Sequence, residues 1–326
     1  MQYKLAENHK RLSIKTIQWN KYMVYIVFVV LFILFAFLLG DKGFLSSNNL
    51  LNILRQTAMI SIMAVAGTFV IATGQIDLTV GATAAMSAMI VSLVLQSTNS
   101  ILLAIICGIG FGIIIGAFNG LLVTKLGLPS FLATLGMMFA IRGSAMWITD
   151  TAAVPIKNTT FNNIFGIGEV GGISVLILWT IAFYIVGIFI FNKTSFGRHT
   201  LATGGNEVSA IYSGIKTDRV KMIVLMMSGA FAAFAGILYA GRMQAGRFSF
   251  GDGDEMSVIA AVVLGGTAMN GGTGSVIGAL VGSVLMGVIN NALILAGLST
   301  AQQTIVKGLI IVAAVALSNL TQGKKK

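Results

Sequence analysis

Apolar runs close to membrane-spanning length recur along the whole chain, separated by short polar or glycine-bearing stretches. The runs are Tyr22–Leu39, Ala58–Thr73, Val80–Leu95, Ile101–Val123, Phe131–Trp147, Ile173–Phe191, Met222–Ala240, Met256–Gly266, Val276–Ala296 and Thr304–Leu317. Crossing the hydrocarbon layer takes about 20 apolar residues in a helix. Within lipid, only helices and closed barrels satisfy their own backbone groups. The pattern predicts an all-α polytopic membrane protein of about ten transmembrane helices, some of them short or broken.

Composition excludes a soluble alternative. Of 326 residues, 56% are hydrophobic and 10% charged, against about 25% charged in average soluble domains. The first run is too long for the apolar core of a secretory signal, so it is expected to remain as the first transmembrane helix. Cys107 is the single cysteine, which rules out a disulfide framework or a cysteine metal site. The expected organisation is an N-terminal tail over 1–21, a transmembrane domain over 22–319 with one large loop at 192–221, and a basic C-terminal tail over 320–326.

Charge then sets the orientation, because loops on the cytoplasmic side retain lysine and arginine. With the N-terminus inside, fourteen basic residues fall on cytoplasmic segments and five on outer ones (Lys42, Arg55, Lys157, Arg242 and Arg247), while Arg142 and Lys307 fall within spans. Both termini are therefore expected in the cytoplasm. The net charge of +11 is accounted for by topology and does not point to nucleic acid. No loop is long enough for an enzymatic domain, so an energy source must sit on another chain.

Glycine is patterned. Gly112, Gly116 and Gly120 repeat every fourth residue, as do Gly274, Gly278 and Gly282. Such stripes let helix backbones approach closely, within one subunit or between two. Two segments are interrupted by glycine: Ala58–Thr73 runs into Gly74 to Gly81 (G-Q-I-D-L-T-V-G), and Met256–Gly266 into Thr267 to Gly274 (T-A-M-N-G-G-T-G). Short, interrupted segments in corresponding places mark a transporter's pathway, which makes Gln75, Asp77, Asn119, Asn270, Asn290 and Asn291 the candidate pathway residues. Asp77 has two readings. At an aqueous edge or a helix start, Asp77 or Thr79 caps a helix by accepting backbone N–H bonds, or Asp77 acts in passage or gating. The asparagines either bond neighbouring helices or touch the solute. The cluster Gly251 to Glu255 lacks calcium-loop spacing and reads as a solvated outer loop or a docking surface.

The large loop contains Gly204 to Ile215 (G-G-N-E-V-S-A-I-Y-S-G-I). Asn206 is a suitable N-cap with Glu207 in the first turn, and Glu207, Ala210, Ile211 and Gly214 share one helical face. Such a helix is shaped either to enter a groove on a partner or to pack on its own chain. With Leu128 to Gly143 (L-P-S-F-L-A-T-L-G-M-M-F-A-I-R-G) and Ala260 to Gly274, in order from about Phe44 to Leu317, these stretches resemble the permease subunit of bacterial ABC sugar importers of the ribose type. The resemblance implies a multi-pass protein of the bacterial cell (inner) membrane that carries a ribose-like monosaccharide. It implies a second permease subunit, ABC ATPase subunits or a tandem ATPase, and an extracytoplasmic sugar-binding protein. This chain would bind no cofactor, and ATP and Mg would belong to the partners. Gly205, Asn206, Glu207, Ala210 and Gly214 would fall in the ATPase-coupling helix. Val208 and Ser209 stand where the wider importer loop has two alanines.

An enzyme is not expected. His9 and His199 have no metal-ligand spacing around them, and no phosphate-binding Gly-x-x-x-x-Gly-Lys-Ser/Thr motif occurs. The alternative is an ion-coupled secondary transporter or channel. That class places ionisable residues in its spans, and here Arg142 and Lys307 are expected to snorkel to the surface.

Overall fold

The computed structural model describes residues 19–322, with the side chains of 19–23, 311 and 313–322 left aside. The tail charges Lys4, Lys10, Arg11, Lys15 and Lys324 to Lys326 lie outside the described residues. In chain order the helices are α1 (Trp19–Leu39), α2 (Ser47–Ala72), α3 (Val80–Thr98), α4 (Ile101–Thr124), α5 (Ser130–Ile148), α6 (Thr159–Asn162), α7 (Val175–Lys193), α8 (Ser195–Gly205), α9 (Glu207–Tyr212), α10 (Thr217–Met243), α11 (Asp254–Leu264), α12 (Val276–Leu295) and α13 (Thr300–Gln322). Two-residue strands β1 (Val154–Pro155), β2 (Glu169–Val170), β3 (Ile173–Ser174) and β4 (Ala245–Gly246) form two antiparallel ladders, β1 with β4 and β2 with β3.

Among the described residues, eight helices are long and apolar enough to cross a membrane: α1 to α5, α7, α10 and α12. α11, at 11 residues, is too short alone, as its sequence suggested. The run at Ala58–Thr73 is not short: α2 begins eleven residues earlier and is 26 residues long. Ser46 starts it by accepting from the Asn49 N–H, and this carries Arg55, expected in a loop, into the helix.

α10 is the axis of the bundle. Its 27 residues extend about 40 Å, and it packs on α4, α3 and α2. The α4 stripe makes this possible. A Cβ at Gly112 would overlap the carbonyl oxygen of Gly229, one at Gly116 that of Leu225, and one at Gly120 the Met222 sulfur. The second stripe works alike, with Gly278 on Gly265 and Gly282 on Ala261, bringing α11 against α12. Both stripes therefore close packing within the subunit. Hydrogen bonds add to it: Ser61 and Ser283 hydroxyls lie 2.7 Å apart, Tyr184 donates to the Ser61 carbonyl, and Ser87 donates to the Ala233 carbonyl. Each such bond between membrane helices contributes about 0.6 kcal/mol.

The outward faces of α1, α4, α5 and α7 carry exposed Ile, Leu, Val and Phe, a belt suited to lipid. The bundle has two distinct ends. One carries α8, α9, the start of α10, the end of α2 and the loop 265–275. The other carries both ladders, the Asn99–Asn158 side-chain bond and the reciprocal Asn49–Asn291 amide pair at 3.0 and 2.8 Å.

Candidate coupling and translocation site

Some of the residues that the sequence singled out gather in one short helix and two side-chain clusters, and others lie apart. The helix is α9. Thr194 caps α8 by accepting from Gly197 N–H, α8 ends at Gly205, and Asn206 turns the chain and accepts from Ser209 N–H at 2.9 Å. Glu207 opens α9, and Lys221 in the first turns of α10 holds its Oε1 at 2.6 Å. Gly214, with φ of +82°, ends the unit through a bond from its N–H to the Ile211 carbonyl. A left-handed φ favours glycine. Gly214 thus terminates the helix and does not extend a face of it.

The outward face also differs from the one expected. Ala210 is buried against its own chain at 4% exposure. The residues turned away from the bundle are Val208, Ile211 and Tyr212, exposed by 63, 54 and 89%. Their spacing of three and four residues is that of one helical face, and the pattern was readable in the sequence. Lys221 of α10 holds Glu207 toward the bundle, which leaves the Val208 side outward.

The first cluster lies between α3, α4 and α10. Asp77 Oδ1 accepts from the Thr79 N–H at 2.9 Å and from the Thr79 hydroxyl, and Asn119 Nδ2 donates to that hydroxyl at 3.1 Å. Ser228 lies beside the carboxylate, about 16 Å along α10 from its start at 1.5 Å per residue. Asp77 is 7% exposed and Asn119 fully buried. Asp77 thus braces the turn that leads into α3, whose N-cap is Thr79 with no side-chain cap bond, and it does so inside the protein. Asp77 Oδ2, Asn119 Oδ1, Thr83 Oγ1 and Ser228 Oγ have no hydrogen-bond partner.

Gln75 and Asn270 sit apart from that cluster, at the α8 end of the bundle. Gln75 is half-buried and Asn270 exposed, and a Cβ at Gly74 would lie 3.7 Å from the Asn270 carbonyl. The segment 74–79 is tied to α5: Ile76 N–H donates to Ser130 Oγ at 3.0 Å, and Thr134 donates to the Ile76 carbonyl at 3.3 Å. Asn291 is at the other end, its amide engaged by Asn49, and Asn290 is half-buried next to it with its Oδ1 unpartnered.

The second cluster, expected as a solvated loop or a docking surface, is in large part packed into the protein. Gly251 packs on Gly81 at the start of α3, and Glu255, 8% exposed, directs Oε2 to the same glycine. Tyr239 donates to Asp254 at 2.6 Å. Asp252 and Gly253 remain exposed. Arg142 does not snorkel: its Nη1 donates to the carbonyls of Phe248 and Phe250 at 2.6 and 2.8 Å, pinning the segment to α5.

The two readings of Asp77 separate by substitution. Asp77→Asn keeps the Oδ1 acceptor and is expected to stay within about 1 kcal/mol of the parent, whereas Asp77→Ala strands two donors and loses about 1–3 kcal/mol. Unfolding of the purified variants in detergent measures both.

Comparison with known proteins adds a family. The family model described as branched-chain amino acid transport system / permease component matches residues 49–315. The chain is 40% identical over 275 residues to the ribose import permease protein RbsC of Bacillus subtilis (strain 168), covering 84% of this chain and 85% of that protein. It is 36% identical over 282 residues to the Escherichia coli (strain K12) ribose import permease, covering 86 and 88%. It is 34% identical over 283 residues to the L-arabinose ABC transporter permease protein AraH of Azospirillum brasilense, covering 87 and 83%. No solved structure matches significantly.

Proposed function

Because this chain belongs to the branched-chain amino acid transport system / permease component family, we propose that it is the membrane-spanning permease of an ATP-driven importer for a monosaccharide such as ribose. The relatives carry ribose or arabinose in their names, which favours a sugar over an amino acid. The chain is non-enzymatic, and ATP with Mg binds to separate ATPase subunits.

The observation that carries this reading is α9. A capped, six-residue helix held by Lys221, with Val208, Ile211 and Tyr212 facing away from its own protein, is built to fit an apolar groove on a partner. Charge-poor, aromatic-bearing patches of this kind concentrate binding energy. The ATPase occupies this end, which makes it cytoplasmic. Counting α11 with its following loop as one crossing, and α13 as the last, gives ten passes and both termini on the cytoplasmic side. The opposite end, with the two ladders, receives the extracytoplasmic sugar-binding protein.

A second permease subunit completes the pathway. On α5, Gly136, Ala140 and Ser144 are exposed at intervals of four residues, small where exposed neighbours such as Leu132 and Phe139 are large. Gln75 and Asn270 lie near the cytoplasmic mouth of that path. The solute passes there as ATPase closure moves α9 and shifts the bundle between two states with different partner contacts.

The unpartnered Asp77 Oδ2 and Glu255 Oε2 favour the ion-coupled alternative, since such transporters use buried carboxylates. Reconstitution decides between them. Liposomes holding the permease with its ATPase should accumulate labelled ribose only when ATP and the sugar-binding protein are both supplied. Accumulation by the permease alone, driven by a sodium or proton gradient, would establish the alternative.

A further inference from the structure

The last two residues of α8, just ahead of the cap of α9, meet the broken segments by backbone alone. Gly204 and Gly205 end α8 immediately ahead of the cap Asn206. A Cβ at Gly204 would overlap the carbonyl oxygen of Ala72 and lie 2.8 Å from Gly272 N. A Cβ at Gly271 would lie 2.8 Å from Gly204 Cα and 2.8 Å from Gly74 N, and one at Gly272 would lie 2.7 Å from Gly205 Cα. The Gly272 N–H donates to the Ala72 carbonyl at 2.9 Å. Gly271 and Gly272 have φ of +81° and +79°, which turns their backbone toward the other two strands of chain. Three segments far apart in sequence therefore meet with no side chain between them: the end of α2, the end of α8 and the loop after α11.

Each segment continues into an element that lines the bundle. The chain after Ala72 is bonded to Ser130 and Thr134 of α5 and, through Thr79 and Asn119, to α4. The loop after Gly272 leads to Ser275, which caps α12 by accepting from Gly278 N–H at 2.9 Å. Side chains absorb small displacements by changing rotamer, and directly packed backbones do not. A push on α9 reaches Gly204 within three residues, and from there passes to both segments without slack.

We propose that Gly74, Gly204, Gly205, Gly271 and Gly272 form the mechanical link that carries motion of α9 to both broken segments, and so to the path between α5, α3 and α12. The glycines are positioning residues, acting through the helices they join. This inference rests on the permease reading given above.

The test uses the permease reconstituted with its ATPase and sugar-binding protein. Gly204→Ala should leave assembly with the ATPase and basal ATP hydrolysis within twofold of the parent, while uptake and the stimulation of hydrolysis by loaded binding protein fall at least tenfold. Gly110→Ala, on α4 away from the link and with nothing within 4 Å of its Cβ, should keep uptake within threefold. ATP-driven uptake that survives Gly204→Ala in a folded complex overturns the link alone. No ATP-driven uptake by the parent overturns the permease reading and the link with it. If Gly204→Ala fails to fold, a cross-link decides: in a Cys107→Ala background, Gly205→Cys and Thr273→Cys joined by a short bis-maleimide should transport within threefold of the unjoined pair, because the segments move together. A cross-link that stops transport means that they slide past one another, and overturns the proposal.

Discussion

Tyr212→Glu is expected to abolish ATP-driven uptake while the permease remains inserted and folded. Tyr212 is 89% exposed and makes no contact on which its own chain depends, so folding is insensitive to it. Facing an apolar groove, a carboxylate in its place would be buried without a partner, a cost of several kcal/mol. Tyr212→Ala removes only the contact. Aromatic hot spots contribute about 2 kcal/mol or more, which is about 30-fold in affinity. Titration of ATPase onto the purified permease should follow that order, with Ala weakened about 30-fold and Glu beyond detection. Retention of parental affinity by both would remove α9 as the docking element. Glu207→Gln should act differently, because Glu207 is held by Lys221: it loosens the mount of α9 and not the surface it presents.

The other large effect concerns the packing of α4 on α10. Gly112→Leu drives a side chain into the carbonyl oxygen of Gly229 and to within 2.6 Å of the Ala233 Cβ, if its own Cβ stays in place. Backbone cannot yield as a side-chain tip does, so helices must separate along much of their contact. Overpacking costs about 1–3 kcal/mol at ordinary sites, and loss of the neighbouring Gly116 and Gly120 contacts raises the expected cost above about 3 kcal/mol. Gly110→Leu, on the same helix with nothing within 4 Å, should be neutral within about 0.5 kcal/mol. Unfolding of the two variants in detergent gives the comparison, and equal stability would mean that the α4 stripe is not a close contact.

The helices were legible because lipid demands long apolar runs, and such runs leave a signal that little else produces. The stripes at Gly112 and Gly278 were legible for a related reason: a period of four small residues has few uses beyond close packing. The start of α2 was not, because Ser47 to Arg55 reads as polar loop until Asn49 is seen paired with Asn291 and Arg55 with Glu169. Partners 242 and 114 residues away are invisible to a local window. The same cause hid the burial of Glu255, whose surroundings are supplied by Gly81. For α9, the cap at Asn206 followed from local chemistry, but the choice of outward face depended on Lys221, which belongs to another helix. Gly214 was placed on a face because helical spacing was continued past the residue that ends the helix.

The anchoring of the segment before α11 constrains how the protein can open at the end opposite α9. Residues 247–253 are fastened to α5 through Arg142, to α3 through the Gly251–Gly81 contact, and to α10 through the neighbouring Tyr239–Asp254 bond. A stretch secured to three helices cannot act as a flap that lifts by itself. If the proposed importer widens on this side, α3, α5 and the stretch must move as one body, and the mouth would open by tilting walls and not by unravelling a plug.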